Sequence, residues 1–444
     1  MNDFFPLRRI LPMRTRLTPA LLLLASALLA SAESPAKPEL LELSDYLNEA
    51  MASNPRLEAL EQRYEAGMQR IPQSGALPDP MFQITHFIES VQTRTGPQEN
   101  VFVLSQKLPW FGKRGSQKSA ASAEAEVLWY SLQNQQLVLA REVSLAFFEY
   151  TYTREAIDLT RENRDLLQKL EPIVEEKVRA GADLNALLRL KVEIGKVDDR
   201  LQTLQQKKVA QSAELGRLLG LPTTSILPDP KWEAPAPTTY DPSSIAAAIR
   251  ANNPELQMMQ RQIDSAEARS EIARLANYPD ITLGLNYIQT GDPVVNPTTP
   301  DAGQDPWGFT VAVNVPLWFG KYNASKAEAL ASRRSLESEY TNRMNDLQAK
   351  LLTSLSSLNN ANRQLNLYGN ELLGLAEQAV ENSRAGYRSG RTGILEVIDS
   401  ERSLLDLQLL YWRAVADAWK QRVIIQTLAN QPLSSEFSKS PSYE

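Results

Sequence analysis

The stretch Leu108-Pro109-Trp110-Phe111-Gly112-Lys113 has a second copy: Trp318-Phe319-Gly320-Lys321, preceded by Pro316-Leu317. Three further landmarks recur in the same order. Asn54-Pro55 returns as Asn253-Pro254, Pro78-Asp79 as Pro279-Asp280, and Arg179-Ala180-Gly181 as Arg384-Ala385-Gly386. The offsets are 199, 201, 208 and 205 residues in chain order, so spacing is nearly kept along with order. A chain of 444 residues would ordinarily suggest about three domains, but self-similarity at this range means two copies of one plan. Between the copies lies a proline-rich stretch, 222–242, with Pro228-Asp229-Pro230 and Pro235-Ala236-Pro237, which cannot continue a helix. The expected division is a leader at 1–32, a first repeat at 33–221, a linker at 222–242, a second repeat at 243–430 and a tail at 431–444.

Within each repeat the hydrophobic period changes in the same sequence. Residues 44–71 and 243–277 have a helical pattern, with serine as the expected N-cap in both places. Proline then ends the helix. In the second repeat Ile281, Leu283, Leu285 and Tyr287 alternate with polar or small residues, and so do Phe309, Val311, Val313 and Val315. The first repeat offers Phe82, Ile84, His86 and Ile88, then a less clean run over 101–108. Each repeat thus reads as a strand pair, 80–108 and 280–316, with polar loops expected at 89–99 and 289–307.

After the strands the pattern becomes helical hairpins, 113–219 and 321–429. Their outgoing helices, to about 179 and 384, would each be roughly 100 Å long at 1.5 Å per residue. Met344, Leu351, Leu358, Leu365, Leu372 and Ala379 repeat every seven residues, as do Ile398, Leu405, Trp412 and Trp419, which specifies helix-on-helix packing with a left-handed supercoil. Pro172 predicts a kink or break in the first long helix.

Composition narrows the function classes. With 43% hydrophobic and 23% charged residues the chain can bury a large core. Lys+Arg 47 against Asp+Glu 53 leaves no positive excess for neutralising phosphates, so nucleic acid is not an expected partner. No cysteine and a single histidine, His86, exclude disulfides, thiolate zinc sites, a cysteine nucleophile and designs that need two histidines. His86 reads as an interfacial side chain rather than a metal ligand. Arg8, Arg9, Arg14 and Arg16 precede an apolar run at 17–30, and Ala30-Ser31-Ala32 fits a cleavage site, so export with a mature start at Glu33 is expected. No later segment reaches the ~18 apolar residues of a spanning helix. A membrane form would therefore be a barrel, and four strands of about ten residues are too few to close one without further copies of the chain.

Taken in order, these segments resemble the TolC family of outer-membrane efflux factors over about residues 43–430. The resemblance implies a homotrimer whose twelve-stranded transmembrane β-barrel continues into a long α-helical barrel in the periplasm. It implies passive conduction of substrates delivered by an inner-membrane transporter through a periplasmic membrane-fusion adaptor. The corner at 108–113 looks like that of partners of heavy-metal pumps of the RND type, which favours metal cations, or drugs, as cargo. Outer-membrane lipid is the remaining partner. No cofactor, metal site or enzymatic activity is expected, and without an N-terminal cysteine in the mature chain no lipid anchor is expected either.

The resemblance also assigns residues. Pro109 and Pro316 match the strand-to-helix corner, where Gly112 and Gly320 relieve crowding, and Trp110, Trp307 and Trp318 match interfacial aromatics at the periplasmic rim. Arg179 and Gly181 in the first hairpin tip, with Arg384, Gly386, Gly390, Arg391 and Thr392 in the second, match adaptor-contact positions. Gly181 and Gly386 are equally readable as helix ends, and the two roles are compatible. Tyr387 matches a tyrosine that links neighbouring hairpins. Glu396 and Asp399, three apart on one helical face, match the acidic periplasmic gate; the alternative is an ordinary solvated face.

Two other readings stay open from residues alone. A periplasmic coiled-coil adaptor or scaffold would share the heptads and the leader but needs no lipid-compatible strands. A type I protein-secretion exit duct would share the fold completely. An enzyme is disfavoured because no phosphate loop, nucleophile elbow or metal-spaced histidine pair is present.

Overall fold

The computed structural model describes residues 42–433, apart from 223–226, 229, 231, 294, 296, 297 and 299. The expected leader, the start at Glu33 and the tail beyond 433 lie outside the described residues.

Each repeat opens with two helices rather than one. In the first, Leu43–Ser53 (α1) is followed by Pro55–Ser74 (α2); in the second, Pro242–Asn252 (α5) is followed by Pro254–Leu275 (α6). The break falls at the Asn-Pro landmark because a residue before proline is driven out of the helical region, while proline itself suits the first helical position. The side-chain oxygen of Asn54 accepts from the Arg56 amide (3.0 Å) and its amide donates to the Leu218 carbonyl (3.0 Å). Asn253 repeats both contacts, accepting from Glu255 (3.0 Å) and donating to Leu428 (3.0 Å). Each asparagine therefore caps its own helix and ties it to the end of the returning helix of its repeat. The expected serine caps are wrong. Glu42 with Asp45 caps α1, and Asp241 caps α5 by accepting from the Ser243 and Ser244 amides.

Four strands form one antiparallel sheet in chain order: Met81–Thr93 (β1), Gly96–Leu108 (β2), Ile281–Thr290 (β3) and Trp307–Val313 (β4). The loop expected at 89–99 is instead mostly strand, since β1 and β2 continue past a register irregularity between His86 and Val91 to pair Thr93 with Gly96.

Helix α3, Lys113–Arg179, runs 67 residues without a break. Of the kink or break expected at Pro172, the break is absent. Pro172 lies exposed, where water can satisfy the carbonyl it leaves unbonded. The return helix is Leu184–Leu218 (α4). In the second repeat the outgoing helix does change, through Phe319–Asn366 (α7), a π-helical turn at Leu367–Leu372 and Leu373–Arg388 (α8), before Ile394–Leu428 (α9) returns. Leu351 and Leu358 of the heptad are buried, but beyond the π turn Ala379 is exposed and Val380, one residue on, is buried with Tyr387. A π turn adds one residue, so the heptad resumes one position late. In α9, Ile398 and Leu405 are buried as the repeat predicts, whereas Trp412 turns to the linker and stacks on Trp232 (5.1 Å), and Trp419 donates to the Glu233 carbonyl (2.8 Å).

Among the described residues the three largest of four apolar clusters hold this together. One joins α1, mid-α3 and the end of α4 around Tyr46, Phe147 and Leu215. A second joins α5, α7 and α9 around Ile249, Leu351 and Ile425. The third, around Leu167, Leu190, Tyr387 and Val397, fastens the two hairpins near their tips.

Candidate functional site

The sheet has two chemically distinct faces. Cross-strand partners share a face, and the register sets Phe82, Leu104, Leu285 and Phe309 in one row and Ile84, Phe102, Tyr287 and Trp307 in the next. The rings of Phe82 and Phe102 stack at 6.4 Å, and Phe102 meets Tyr287 at 6.1 Å. The other face carries the row Met81, Ser105, Gly284, Thr310 and the row Gln83, Val103, Asn286, Gly308. Phe309 on the apolar face is 66% exposed and Trp307 74%. Such a face on a sheet needs lipid or protein against it. The apolar band ends in a polar row, where His86 Nδ1 donates to Asn100 Oδ1 (2.8 Å) and Asn100 Nδ2 to Gln289 Oε1 (2.7 Å). Trp307 was expected with the other tryptophans at the helix-side rim. Its pairing with Tyr287 puts it at the loop end of β4 instead, while Trp110 and Trp318 stand where strands meet helices.

At the first corner Asp280 collects donors from the other repeat. Its carboxylate accepts from the Trp110 amide (3.0 Å) and from Lys113 Nζ (2.7 Å), and pairs with Lys107 (3.2 Å). Burial pushes this carboxyl up, but Lys113, the Trp110 amide and Lys107 outweigh it and hold the group below the ordinary carboxylate value. Lys113 also donates to the Tyr278 carbonyl (2.8 Å), and Trp110 stacks on Tyr278 at 5.5 Å. Gly112 takes a left-handed conformation (φ 86°) just before α3, so its lack of a side chain is needed. Gly320 is not its equivalent: it lies inside α7 with open space around it, so the role expected for it is not one its backbone demands. Pro109 and Pro316 follow the ends of β2 and β4. Sequence reasoning used Asp280 only as a landmark, although its recurrence was the available signal.

At the tips the structure sorts the expected residues. Arg179 and Gly181 are exposed, with Gly181 in the left-handed region (φ 101°) after α3. Arg384 points into the chain: its guanidinium meets Glu401 at 2.6 Å, and Glu401 is 2% exposed. Its guanidinium is thus committed to a buried carboxylate within the chain, unlike the exposed Arg179 and Arg391. Gly386 does not end a helix, since α8 continues to Arg388, and a Cβ there would strike Thr392 Oγ1 at 2.7 Å. Gly390 takes the turn (φ 72°), and the Arg391 amide donates to the Gly386 carbonyl (2.9 Å).

Tyr387 is buried, and burial pushes its hydroxyl pKa up. Lys177 Nζ, from the first repeat's hairpin, sits 3.7 Å from the Tyr387 ring centre and donates to its carbonyl (3.2 Å). A second link joins the hairpins where Arg402 grips Glu193 through two bonds of 2.9 and 2.6 Å; that guanidinium, against some burial, holds the Glu193 carboxyl low. Lys177, Glu193, Glu401 and Arg402 were missed because a charged residue on a helix carries no mark of its partner. Glu396 and Asp399 are exposed and share one open groove between α8 and α9 with Arg391, Thr392 and Asn382. Asp399 also lies 3.5 Å from Arg402.

Among the described residues no group of three acidic or histidine side chains could hold a metal, and no helix is long and apolar enough to cross a membrane. An exposed apolar sheet face above helices of this length defines a class: channels that cross a membrane by strands and extend from it by helices. Comparison with known proteins agrees. Residues 246–430 match the family described as outer membrane efflux protein. The chain is 23% identical to the outer membrane protein TolC of Vibrio cholerae, covering 82% of this chain and 85% of that one. It is 20% identical to the cobalt-zinc-cadmium resistance protein CzcC of Cupriavidus metallidurans, covering 87% of this chain and 90% of that one. The solved outer-membrane channel OprN superposes with a TM-score of 0.75 at 16% identity over 88% of this chain and 90% of that chain. The family match covers the second repeat, and the chain is similar to TolC-type outer-membrane efflux proteins in sequence and in fold.

Proposed function

We propose that this protein is the outer-membrane channel of a tripartite efflux system, passing substrates from an inner-membrane transporter and a periplasmic adaptor to the cell exterior. The observation that carries this reading is the four-stranded sheet with one exposed apolar face and two unpaired edges, β1 and β4. Strand edges cannot be left open in a bilayer, because each unpaired backbone group there costs several kcal/mol. Three copies supply twelve strands and close the sheet, with the Phe82 and Ile84 rows toward lipid and the Gln83 and Met81 rows toward the lumen.

The helical hairpins then form the periplasmic duct. Arg179, Gly181, Gly390 and Arg391, exposed at the tips, are the adaptor-facing residues. Glu396 and Asp399, repeated in three copies, place six carboxylates about the entrance, which favours cations and repels anions. The links from Lys177 to Tyr387 and from Arg402 to Glu193 hold the two hairpins of one chain together, so widening the entrance requires loosening them. The similarity to a cobalt-zinc-cadmium resistance protein supports divalent metal cations as cargo. A duct that conducts cargo has no need to coordinate it.

The test is single-channel conductance in a planar bilayer, with the mass of the purified assembly measured in the same detergent. A trimer giving small, cation-biased currents is the expected outcome. A well-folded protein that neither trimerises nor conducts removes the proposal.

A further inference from the structure

The two repeats carry the same corner residues, although Gly112 is left-handed before its helix and Gly320 lies inside one, yet among the described residues only the first corner has its contacts completed. Asp280 receives the Trp110 amide and Lys113 of the other repeat, and Tyr278 stacks on Trp110. Superposing the landmarks makes Asp79 the counterpart of Asp280, Leu77 of Tyr278, Trp318 of Trp110 and Lys321 of Lys113. All four counterparts are exposed, Trp318 by 75%. Asp79 makes no hydrogen bond or ion pair among the described residues, and Lys321 approaches only the ring of Tyr322, at 5.9 Å. The adjoining helix agrees: α3 begins to bury side chains at Ala120, against α2 and α6, whereas α7 buries none before Leu347.

We propose that the second corner is completed by a second copy of this chain. Asp79 of the neighbouring copy accepts from the Trp318 amide and from Lys321, and its Leu77 lies against the Trp318 ring. The inference rests on the channel reading above, because it places these groups where the sheet closes.

The same superposition sets the register of that closure. Phe82 pairs with Leu104 in the first repeat, and Leu283, which is 201 residues beyond Phe82, pairs with Val311 in the second. Val311 is therefore the counterpart of Leu104. Leu104 pairs with Leu285 across the repeats, and Leu285 is the counterpart of Ile84. Val311 consequently stands opposite Ile84 of the neighbour and Phe309 opposite His86. Face parity, which was not used in this derivation, agrees: Trp307, Phe309, Val311 and Ile84 all belong to the apolar face. A slip of one residue would set that face against the polar one.

The chain contains no cysteine, so introduced pairs report the register directly. Val311→Cys with Ile84→Cys is expected to form disulfides between copies on mild oxidation of the detergent-purified assembly, since opposed residues sit about 4.5–5.5 Å apart at Cα, within bridging range. Val311→Cys with Phe82→Cys or with His86→Cys is expected to stay reduced, because diagonal neighbours are roughly 7–8 Å apart. Asp79→Asn is expected to lower the temperature at which the assembly dissociates by roughly 2–5 °C, and Asp79→Lys combined with Lys321→Asp to recover part of a larger loss seen with Asp79→Lys alone. Cross-linking of a shifted pair in an assembly of unchanged mass overturns the register and leaves the channel reading standing. Dissociation unmoved by either change at Asp79 overturns the corner contact. A folded monomer that cross-links in no pair removes the channel reading and this inference together.

Discussion

Glu149 of α3 faces three cations from two other helices: Lys207 of α4 at 2.9 Å, Arg413 of α9 at 3.0 Å, and Lys420 of α9. Burial alone would raise its carboxyl, but Lys420, Lys207 and Arg413 outweigh burial and bring it from 4.5 down to about 2. Because the folded value is depressed, the stabilisation is fully present above about pH 4.5 and is lost as pH falls through about 2. Glu149→Gln should cost on the order of 2 kcal/mol at neutral pH, after allowing for solvent screening, and flatten the acid limb of stability. Urea midpoints of both proteins between pH 7 and 3 check this. At the tip, Lys177 uses the ring and carbonyl of Tyr387, and among the described residues no hydrogen bond involves the hydroxyl. Tyr387→Phe should therefore leave conductance unchanged, whereas Lys177→Met, losing a cation–π contact of roughly 0.5–2 kcal/mol, should increase the time spent in larger conductance states. Larger currents from Tyr387→Phe alone would show that the hydroxyl is the link.

At the scale of elements, the π turn has a visible packing cause. Gly369 within it lies against Tyr411 of α9, and a Cβ there would meet the ring at 2.9 Å. The close approach lets α7 and α9 pack beside the aromatic pair Trp232 and Trp412. Gly369→Ala should destabilise by about 1–3 kcal/mol through overpacking. A double-mutant cycle with Tyr411→Leu should recover part of that loss in the thermal midpoint, because the ring edge is what the methyl meets. The seven-residue repeat in the outgoing helix was legible, but its phase beyond Leu367 was not, since a single added residue leaves composition and periodicity almost unchanged. The split at Asn54-Pro55 and Asn253-Pro254 carried a local signal, as proline constrains the residue before it. Reading a continuous helix there let the apolar pattern override that rule.

Across the whole molecule, the exposed groups lie where a single chain ends and an assembly would begin: the apolar sheet face, the edges of β1 and β4, and the first half of α7. On the proposed channel reading the acidic pair would act at this scale as well, because one exposed Glu396 and one exposed Asp399 carry little field alone, while three copies around one axis would add. Reversing both to lysine should turn cation preference toward anions without dissolving the trimer. Reversal potentials in a salt gradient measure this, and an unchanged preference would remove the gate assignment.

The duplicated plan, the alternation of strands and long helices, and the chemistry of the two sheet faces are legible in the amino-acid order alone, because these are periodic or repeated and therefore local. Composition also excluded chemistry that requires cysteine or several histidines. Tertiary structure decided which charges meet. Arg384 and Arg391 look alike in sequence, yet Arg384 lies against buried Glu401 and Arg391 stays exposed. Register likewise sent Trp307 to the loop end of β4, away from Trp318. An ion pair or a strand register joins residues tens to hundreds of positions apart, and neither leaves a local trace.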